Sequence, residues 1–357
     1  MGLDLPIVWS ETHREHRPEG EVWVGVRIPG TEHPERVNRI LAALLEAGST
    51  EPLEARGLPD GALERVHSPA LIEYLAGAWT GWQESGHEDD PGQDRVVPYL
   101  FPTEGLLGGL APAEPASAAA RAGRFTYDTM TLIGPGTWEA ARAAAGVALT
   151  ATDLALEGAP VAYACCRPPG HHAARNAIGG SCYLNNTALA AARLADSGHG
   201  SVAVIDIDAH HGNGTQSIFY EDPTVMTASI HIDPGHGWFP HFLGFASETG
   251  AGSGEGGNRN LPLAPGTGDE GWLAGVTSLI EWAEAAAVRS LVVALGVDAA
   301  HHDPESPLEV TIDGYREVGR LLGRMGLPTV IIQEGGYDLE NVGPLVRETL
   351  LGFESAG

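Results

Sequence analysis

Five stretches of the chain are short, apolar and rich in branched or small residues: Val161–Cys165, Val202–Ile207, Val225–His231, Leu291–Leu295 and Thr329–Gln333. Runs without polar alternation suit strands buried on both faces, as in parallel sheets. Between them the spacing predicts helices over Trp138–Leu156, Asn185–Asp196, Glu270–Ala287, Tyr315–Met325 and Val342–Leu351. The first is alanine-rich and is entered through Pro135-Gly136, a favourable helix start. Strand alternating with helix predicts βαβ units and a mainly parallel sheet, an α/β fold. No internal repeat or linker divides the 357 residues, so one domain is expected. Loop excursions are expected near 88–124, rich in Gly, Pro and Ala, and near 232–260, which includes the glycine-rich 244–257 stretch.

In such sheets ligands bind beyond the carboxyl ends of the strands. The polar clusters of this chain fall there: Arg167–His172, Asp206–Asn213, His231–Phe242, Asp298–Pro304 and Glu334–Asp338 each follow one predicted strand. In Asp206-Ile-Asp-Ala-His-His-Gly-Asn, strand alternation sets Asp206 and Asp208 on one face, and Asp208 and His210 stand two apart at the strand end. Asp298, at the end of another strand, offers a third ligand. Two carboxylates and one imidazole leave a coordination position open, the pattern of a catalytic zinc rather than a closed structural one. Iron(II) and cobalt(II) accept the same donors.

His171 and His172 follow Arg167-Pro-Pro-Gly, a stiff turn. Histidine takes and gives protons near neutral pH, as water activation and amine departure require. The last strand runs into Glu334-Gly-Gly-Tyr337. The two glycines let the backbone turn tightly, and the tyrosine hydroxyl can donate to a carbonyl oxygen as it becomes an oxyanion.

Composition narrows the partners. The formal net charge is −27, which argues against nucleic acid and suits a cationic substrate. All the cationic Lys/Arg-type side chains are arginine. No apolar run reaches transmembrane length, so no membrane association is expected. Met1 to Gly20 lacks the regions of a signal peptide, so a cytoplasmic protein is expected. Cys165, Cys166 and Cys182 lack the spaced pairs of a cysteine metal site and read as reduced and structural. The glycine-rich loop lacks the Lys-Ser/Thr ending of a P-loop.

Together these motifs resemble the metal-dependent histone deacetylase superfamily, and especially its class II-like bacterial members, the acetylpolyamine amidohydrolases. The resemblance rests on Arg167–Ala173, Cys182–Asn186, Ile205–Gln216, Phe239–Gly244, Leu295–Asp298 and Glu334–Tyr337. Weaker similarity extends over nearly the whole chain. It implies the three-layer arginase–deacetylase fold with about eight strands. It implies zinc on Asp208, His210 and Asp298, His172 as general base and acid, His171 as its electrostatic partner, and Tyr337 polarising the acetyl carbonyl. Asp206 would hold His171, and Asn213 would stand beside His172. It also implies structural potassium or sodium ions. One would sit on Asp206, the backbone oxygens of Asp208 and His210, and Ser229; the other on backbone oxygens of Phe219, Asp222 and Val225. Arginases share the fold but need a second metal, and Gly212 and Ala300 occupy two of its ligand positions.

The resemblance implies an acetylated amine substrate, either a small cationic acetylpolyamine or acetyl-lysine on a peptide. Glu305 lies seven residues after Asp298, the offset of a gatekeeper glutamate in a vertebrate polyamine deacetylase of this superfamily. The glutamate that bacterial members associate with polyamines is Met130 here, with Glu104 as another candidate. Ser181 stands where many members carry an aromatic wall of the acyl tunnel. Gly180 and Ser181 are expected to line that tunnel, with Phe242 or Trp238 as the opposite wall. The Pro18–Pro34 loop, within an excursion near 12–34, resembles an insertion that lets bacterial relatives form homodimers. A catalytically silent binding protein on this scaffold would have no need of all six catalytic-type residues.

Overall fold

The computed structural model describes residues 2–198 and 200–356. Its strands, in chain order, are β1 (Ile7–Trp9), β2 (Glu21–Trp23), β3 (Val26–Ile28), β4 (Leu53–Glu54), β5 (Val161–Ala164), β6 (Val202–Asp206), β7 (Val225–Ile232), β8 (Asn258–Leu263), β9 (Ser290–Leu295) and β10 (Thr329–Gln333). Among the described residues, β2 and β3 pair as an antiparallel hairpin, and the other eight form one sheet in the order β4-β1-β5-β10-β9-β6-β7-β8. Every neighbouring pair in that sheet is parallel.

Each central strand sends alternate side chains to opposite faces. Ile205, Val293, Ile331, Tyr163 and Cys165 enter one core layer. Val204, Val292, Val330, Ala164 and Cys166 enter the other. The adjacent cysteines are therefore divided by the sheet, and both are free and buried. Helices Glu35–Glu46, Asp269–Ala285, Ile312–Gly323 and Val342–Glu354 cover the first face through Ile40, Val276, Val318 and Val346. Helices Pro69–Glu84, Thr137–Leu156 and Asn186–Asp196 cover the second through Leu75, Ala144 and Leu189. Full burial of each large aliphatic side chain contributes about 1.5–3 kcal/mol, and the alanines of Thr137–Leu156 allow that helix close approach. The result is the three-layer α/β arrangement.

The five strands expected from the apolar runs are β5, β6, β7, β9 and β10, with ends within one residue. The edges of the sheet carry no such run. β8 is Asn-Arg-Asn-Leu-Pro-Leu, and its Pro262 is tolerated because an edge strand has an unpaired side. The excursion at residues 232–260 therefore ends inside a strand. Residues 88–124 are not a bare loop: they contain helix Glu104–Leu107 and the start of Ala118–Phe125, which buries Ala122 and Phe125.

Asn185 shows how the layers fix the loops at the strand ends. Its Oδ1 caps helix Asn186–Asp196 by accepting from Ala188 N–H at 2.8 Å. Its Nδ2 donates to the carbonyl of Ala173 at 2.9 Å and to Thr215 Oγ1 at 3.1 Å. Asn185→Ala removes a cap and leaves buried groups unpaired, so it should lower unfolding free energy by about 2–4 kcal/mol, read as a lower midpoint in urea unfolding.

Candidate active site

Three strands deliver the centre. The chain leaves β6 at Asp206 and turns to place Asp208 and His210; it leaves β9 and reaches Asp298; it leaves β10 at Glu334-Gly335. Asp208, His210 and Asp298 each offer a ligand atom, all within 4.8 Å of one another. His210 Nδ1 is 3.0 Å from Asp298 Oδ2 and 3.4 Å from Asp208 Oδ1. Both carboxylates are buried. Each carboxylate is held in place through its other oxygen: Asp298 Oδ1 accepts from Ala209 N–H at 2.8 Å, and Asp208 Oδ2 from Gly335 N–H at 2.8 Å. Two carboxylates concentrated on one imidazole nitrogen out of water need a compensating cation. Burial disfavours a charged His210, yet the pull of Asp208 and Asp298 outweighs it and lifts its pKa well above the usual value. The donor set fits a divalent ion with an open side.

Glycine is required beside it. A Cβ on Gly335 would lie 2.6 Å from both Asp208 Oδ2 and Asp298 Oδ2.

The two histidines have the same kind of support and opposite charge preferences. His171 Nδ1 donates to Asp206 Oδ2 at 2.9 Å, and its Nε2 lies 3.7 Å from Asp208 Oδ1. Burial opposes its charge, but Asp208 and Asp206 prevail and raise its pKa to about 10. His172 Nδ1 donates to the neutral Asn213 Oδ1 at 2.7 Å. Burial, reinforced by His171 and His210, holds it well below its ordinary value. His172 is thus the neutral imidazole, with Nε2 left to accept a proton. Its carbonyl accepts from Tyr127 Oη at 3.0 Å, and Gly180 closes on its ring, where a Cβ would come within 2.3 Å of Cδ2.

Glu334, which opens the Glu-Gly-Gly-Tyr motif and has no role assigned from sequence, is fully buried. It accepts from Gly170 N–H at 2.6 Å, His171 N–H at 3.1 Å and Thr187 Oγ1 at 2.6 Å. Its signals in the sequence are its place directly after a buried strand and its lead position in that motif. His171, Cys182 and Glu334 also converge, but Glu334 is committed to these donors and His171 Nδ1 to Asp206, so this trio is a scaffold for the turn.

A cavity of about 460 Å³ opens over the centre. His172, His210 and Tyr337 line its floor, and Gly180, Ser181, Met130 and Trp238 its sides, as the sequence suggested for Trp238. Burial raises the Tyr337 hydroxyl well above its usual pKa, so it stays a neutral donor. The aromatic wall is Phe239, edge-on to His172 at 4.8 Å between ring centres. Phe242 is not that wall: it is 87% exposed and does not line the cavity. The turn at Pro240-His241, with His241 at φ 60°, directs Phe239 inward and Phe242 outward. Glu305 reaches the mouth, held by Thr31 Oγ1 at 2.7 Å. Glu21, on the hairpin and unforeseen, joins it there. Glu104 does not line the cavity. Asp206 and Ser229 are register partners on β6 and β7, while Phe219, Asp222 and Val225 lie along the turn into β7, where Asp222 N–H donates to Phe219 carbonyl at 3.0 Å.

The histone deacetylase domain profile matches residues 30–352. The chain belongs to the histone deacetylase family. It is 39% identical to acetylpolyamine amidohydrolase 1 of Pseudomonas aeruginosa over 98% of this chain and 99% of that protein. It is 36% identical to the acetylpolyamine amidohydrolase of Mycoplana ramosa, again over 98% and 99%. The crystal structure of acetylpolyamine aminohydrolase from Burkholderia pseudomallei superposes with a TM-score of 0.91, at 35% identity, covering 99% of each chain. This histone deacetylase family member is therefore a hydrolytic enzyme that depends on a metal ion.

With Gly335→Ala the new methyl displaces two carboxylates at once. The purified protein should keep its fold by circular dichroism and lose bound divalent metal, about 10- to 100-fold in affinity, as measured by metal analysis and chelator competition.

Proposed function

We propose that this deacetylase-family chain is a zinc-dependent acetylpolyamine amidohydrolase, hydrolysing an N-acetyl amine to the amine and acetate. One observation carries the reading: a single cavity has His172, Tyr337 and His210, the last grouped with Asp208 and Asp298, at its floor and two carboxylates, Glu21 and Glu305, at its mouth. The names of the full-length relatives agree with it. Asp208, His210 and Asp298 would hold the zinc, which when bound supplies Lewis acidity toward a carbonyl and makes water more acidic.

The chain's own residues supply the rest. His172, neutral and with Nδ1–H fixed by Asn213, receives the proton of the attacking water at Nε2 and returns it to the departing nitrogen. His171, cationic and anchored by Asp206, disfavours premature protonation of His172. Tyr337 donates its hydroxyl hydrogen to the acetyl oxygen as charge develops there. Phe239 and Met130 exclude water from the acyl tunnel. Glu21 and Glu305 receive the distal ammonium of the amine.

The cation sites at Asp206/Ser229 and at Phe219/Asp222/Val225 are part of the same reading, with potassium or sodium bound for structure. So are a cytoplasmic setting and a homodimer. The hairpin turn exposes Trp23, Val24 and Val26, an apolar tip suited to a second copy. No helix among the described residues is long and apolar enough to cross a membrane.

Tyr337→Phe should retain zinc and lose turnover about 10²–10³-fold, measured as kcat on an acetylated amine with metal content determined in parallel. For substrate class, kcat/KM on an acetylpolyamine should exceed that on an acetyl-lysine peptide. Glu21→Gln or Glu305→Leu should raise KM for the polyamine about tenfold, consistent with loss of one charge-assisted contact. An unchanged preference removes the mouth from the argument.

Burial, reinforced by Glu305, raises Glu21 to about 7. Its carboxyl is therefore neutral on the acid side and charged on the alkaline side. A bound ammonium favours the charged form, so KM for a cationic substrate should fall as pH rises from about 6 to about 8. Glu21→Gln should flatten that profile.

A further inference from the structure

One buried carboxylate outside the catalytic set touches both halves of it. Glu32 is 4% exposed and closes the 12–34 loop. Its Oε1 accepts from Arg167 Nε at 2.7 Å and from Arg36 Nη1 at 3.1 Å; its Oε2 accepts from Arg167 Nη2 at 2.8 Å. The two arginines lead to different strands. Arg167 opens the turn that carries His171 and His172, after β5. Arg36 donates through Nε to the carbonyl of Gly336 at 2.6 Å and through Nη2 to that of Glu334, and its guanidinium lies 4.8 Å from the Tyr337 ring centre. Thr31, next to Glu32 in the chain, donates to Glu305 at the mouth.

We propose that Glu32 is a positioning residue for deacetylation, holding Arg36 and through it Tyr337 in register with His172. The inference rests on Tyr337 acting as the functional reading assigns. The geometry leaves few alternatives for the clamp. Asp303 Oδ2 fixes the Tyr337 N–H at 2.7 Å; among the described residues Arg36 is the one side chain on the Gly336 carbonyl, and it is the nearer of two on the Glu334 carbonyl, where Gln333 Nε2 stands at 3.5 Å. Gln333 Nε2 holds the carbonyl of Gly335 between them at 2.9 Å. Gly336 has φ 120°, so the backbone at this turn is not confined as an L-residue would be. Without the Glu32 charge, Arg36 and Arg167 face each other as like charges, and Arg36 turns away from one of its carbonyls. A phenol misplaced by about 1 Å costs about 10²-fold in rate. Glu32 makes no hydrogen bond to the mouth carboxylates or to the metal trio, and its charge is a minor influence on Glu21, so the main loss falls on kcat rather than on KM or metal content.

The test is a double-mutant cycle in the zinc-loaded full chain, with kcat and KM measured on an acetylated amine and metal content and Tm on every variant. Glu32→Gln should lower kcat about 10–100-fold with KM within about twofold and metal content unchanged. On the Tyr337→Phe background the same change should alter kcat less than about threefold, because the group it positions is gone. Equal losses on both backgrounds, or a loss confined to KM, overturn the proposal and leave Glu32 a structural residue. Where Glu32→Gln fails to fold, Glu32→Asp keeps the charge but draws it back from the arginines, and the same non-additivity with Tyr337→Phe is required of it. If Tyr337→Phe by itself keeps full turnover, the functional reading fails, an outcome separate from additivity at Glu32.

Discussion

Everything at this site follows from keeping negative charge buried at the carboxyl ends of parallel strands. Asp206, Asp208, Asp298 and Glu334 are all at most 2% exposed, and a buried carboxylate without partners costs several kcal/mol. The fold meets that cost with backbone N–H groups from the neighbouring strand ends, imidazoles and a cation site. A parallel sheet suits this task because consecutive strands end side by side, so residues distant in sequence arrive at one level. Asp208 receives the N–H of Gly335 from a strand 127 residues later. The sheet order β10-β9-β6 sets the three contributing loops next to one another.

The same charge explains why two adjacent histidines behave differently. Their rings lie 4.0 Å apart between centres and both are buried. Their surroundings separate them: Asp208 and then Asp206 outweigh burial at His171, whereas burial dominates at His172, whose Nδ1 meets only an amide oxygen. The two carboxylates favour a charged His171, and that charge adds to burial in keeping His172 neutral. An aspartate at position 213 would erode that contrast by drawing a proton onto His172. The neutral amide of Asn213 thus orients His172 without adding a negative charge beside it.

Much of this was legible in the chain. The central strands β5, β6, β9 and β10 are apolar on both faces, so periodicity marks them plainly, and polar residues just beyond them mark the site. Asp208, His210, Asp298, His171, His172 and Tyr337 all fall at such positions and all come together. The edge strands were hidden because they bury little: β8 has Asn, Arg and Pro in place of an apolar run. Of the two walls expected from sequence, Trp238 lines the cavity and Phe242 does not, its place being taken by Phe239, because strand-end loops have no period from which to infer direction; the turn at Pro240-His241 decides which ring faces inward. Glu21, Glu32 and Arg36 escaped for a related reason. They lie outside the recurring motifs, on a hairpin strand, a loop and a helix start whose approach to the site is a matter of tertiary packing.

The buried arginines show what the side chain itself contributes. The chain has 20 arginines and no lysine, and elsewhere on the surface that choice has little structural consequence. At positions 36 and 167 it is decisive. Arg36 donates to two carbonyls and one carboxylate in different directions, and Arg167 makes a bidentate pair with Glu32 while donating to the carbonyls of His13 and His16. A lysine ammonium is a single point with three donors and stronger hydration. It could neutralise Glu32, but it could not span acceptors on separate loops. The fork of the guanidinium is what converts a buried ion pair into a geometric constraint, tying the N-terminal loop to the turns that carry His172 and Tyr337.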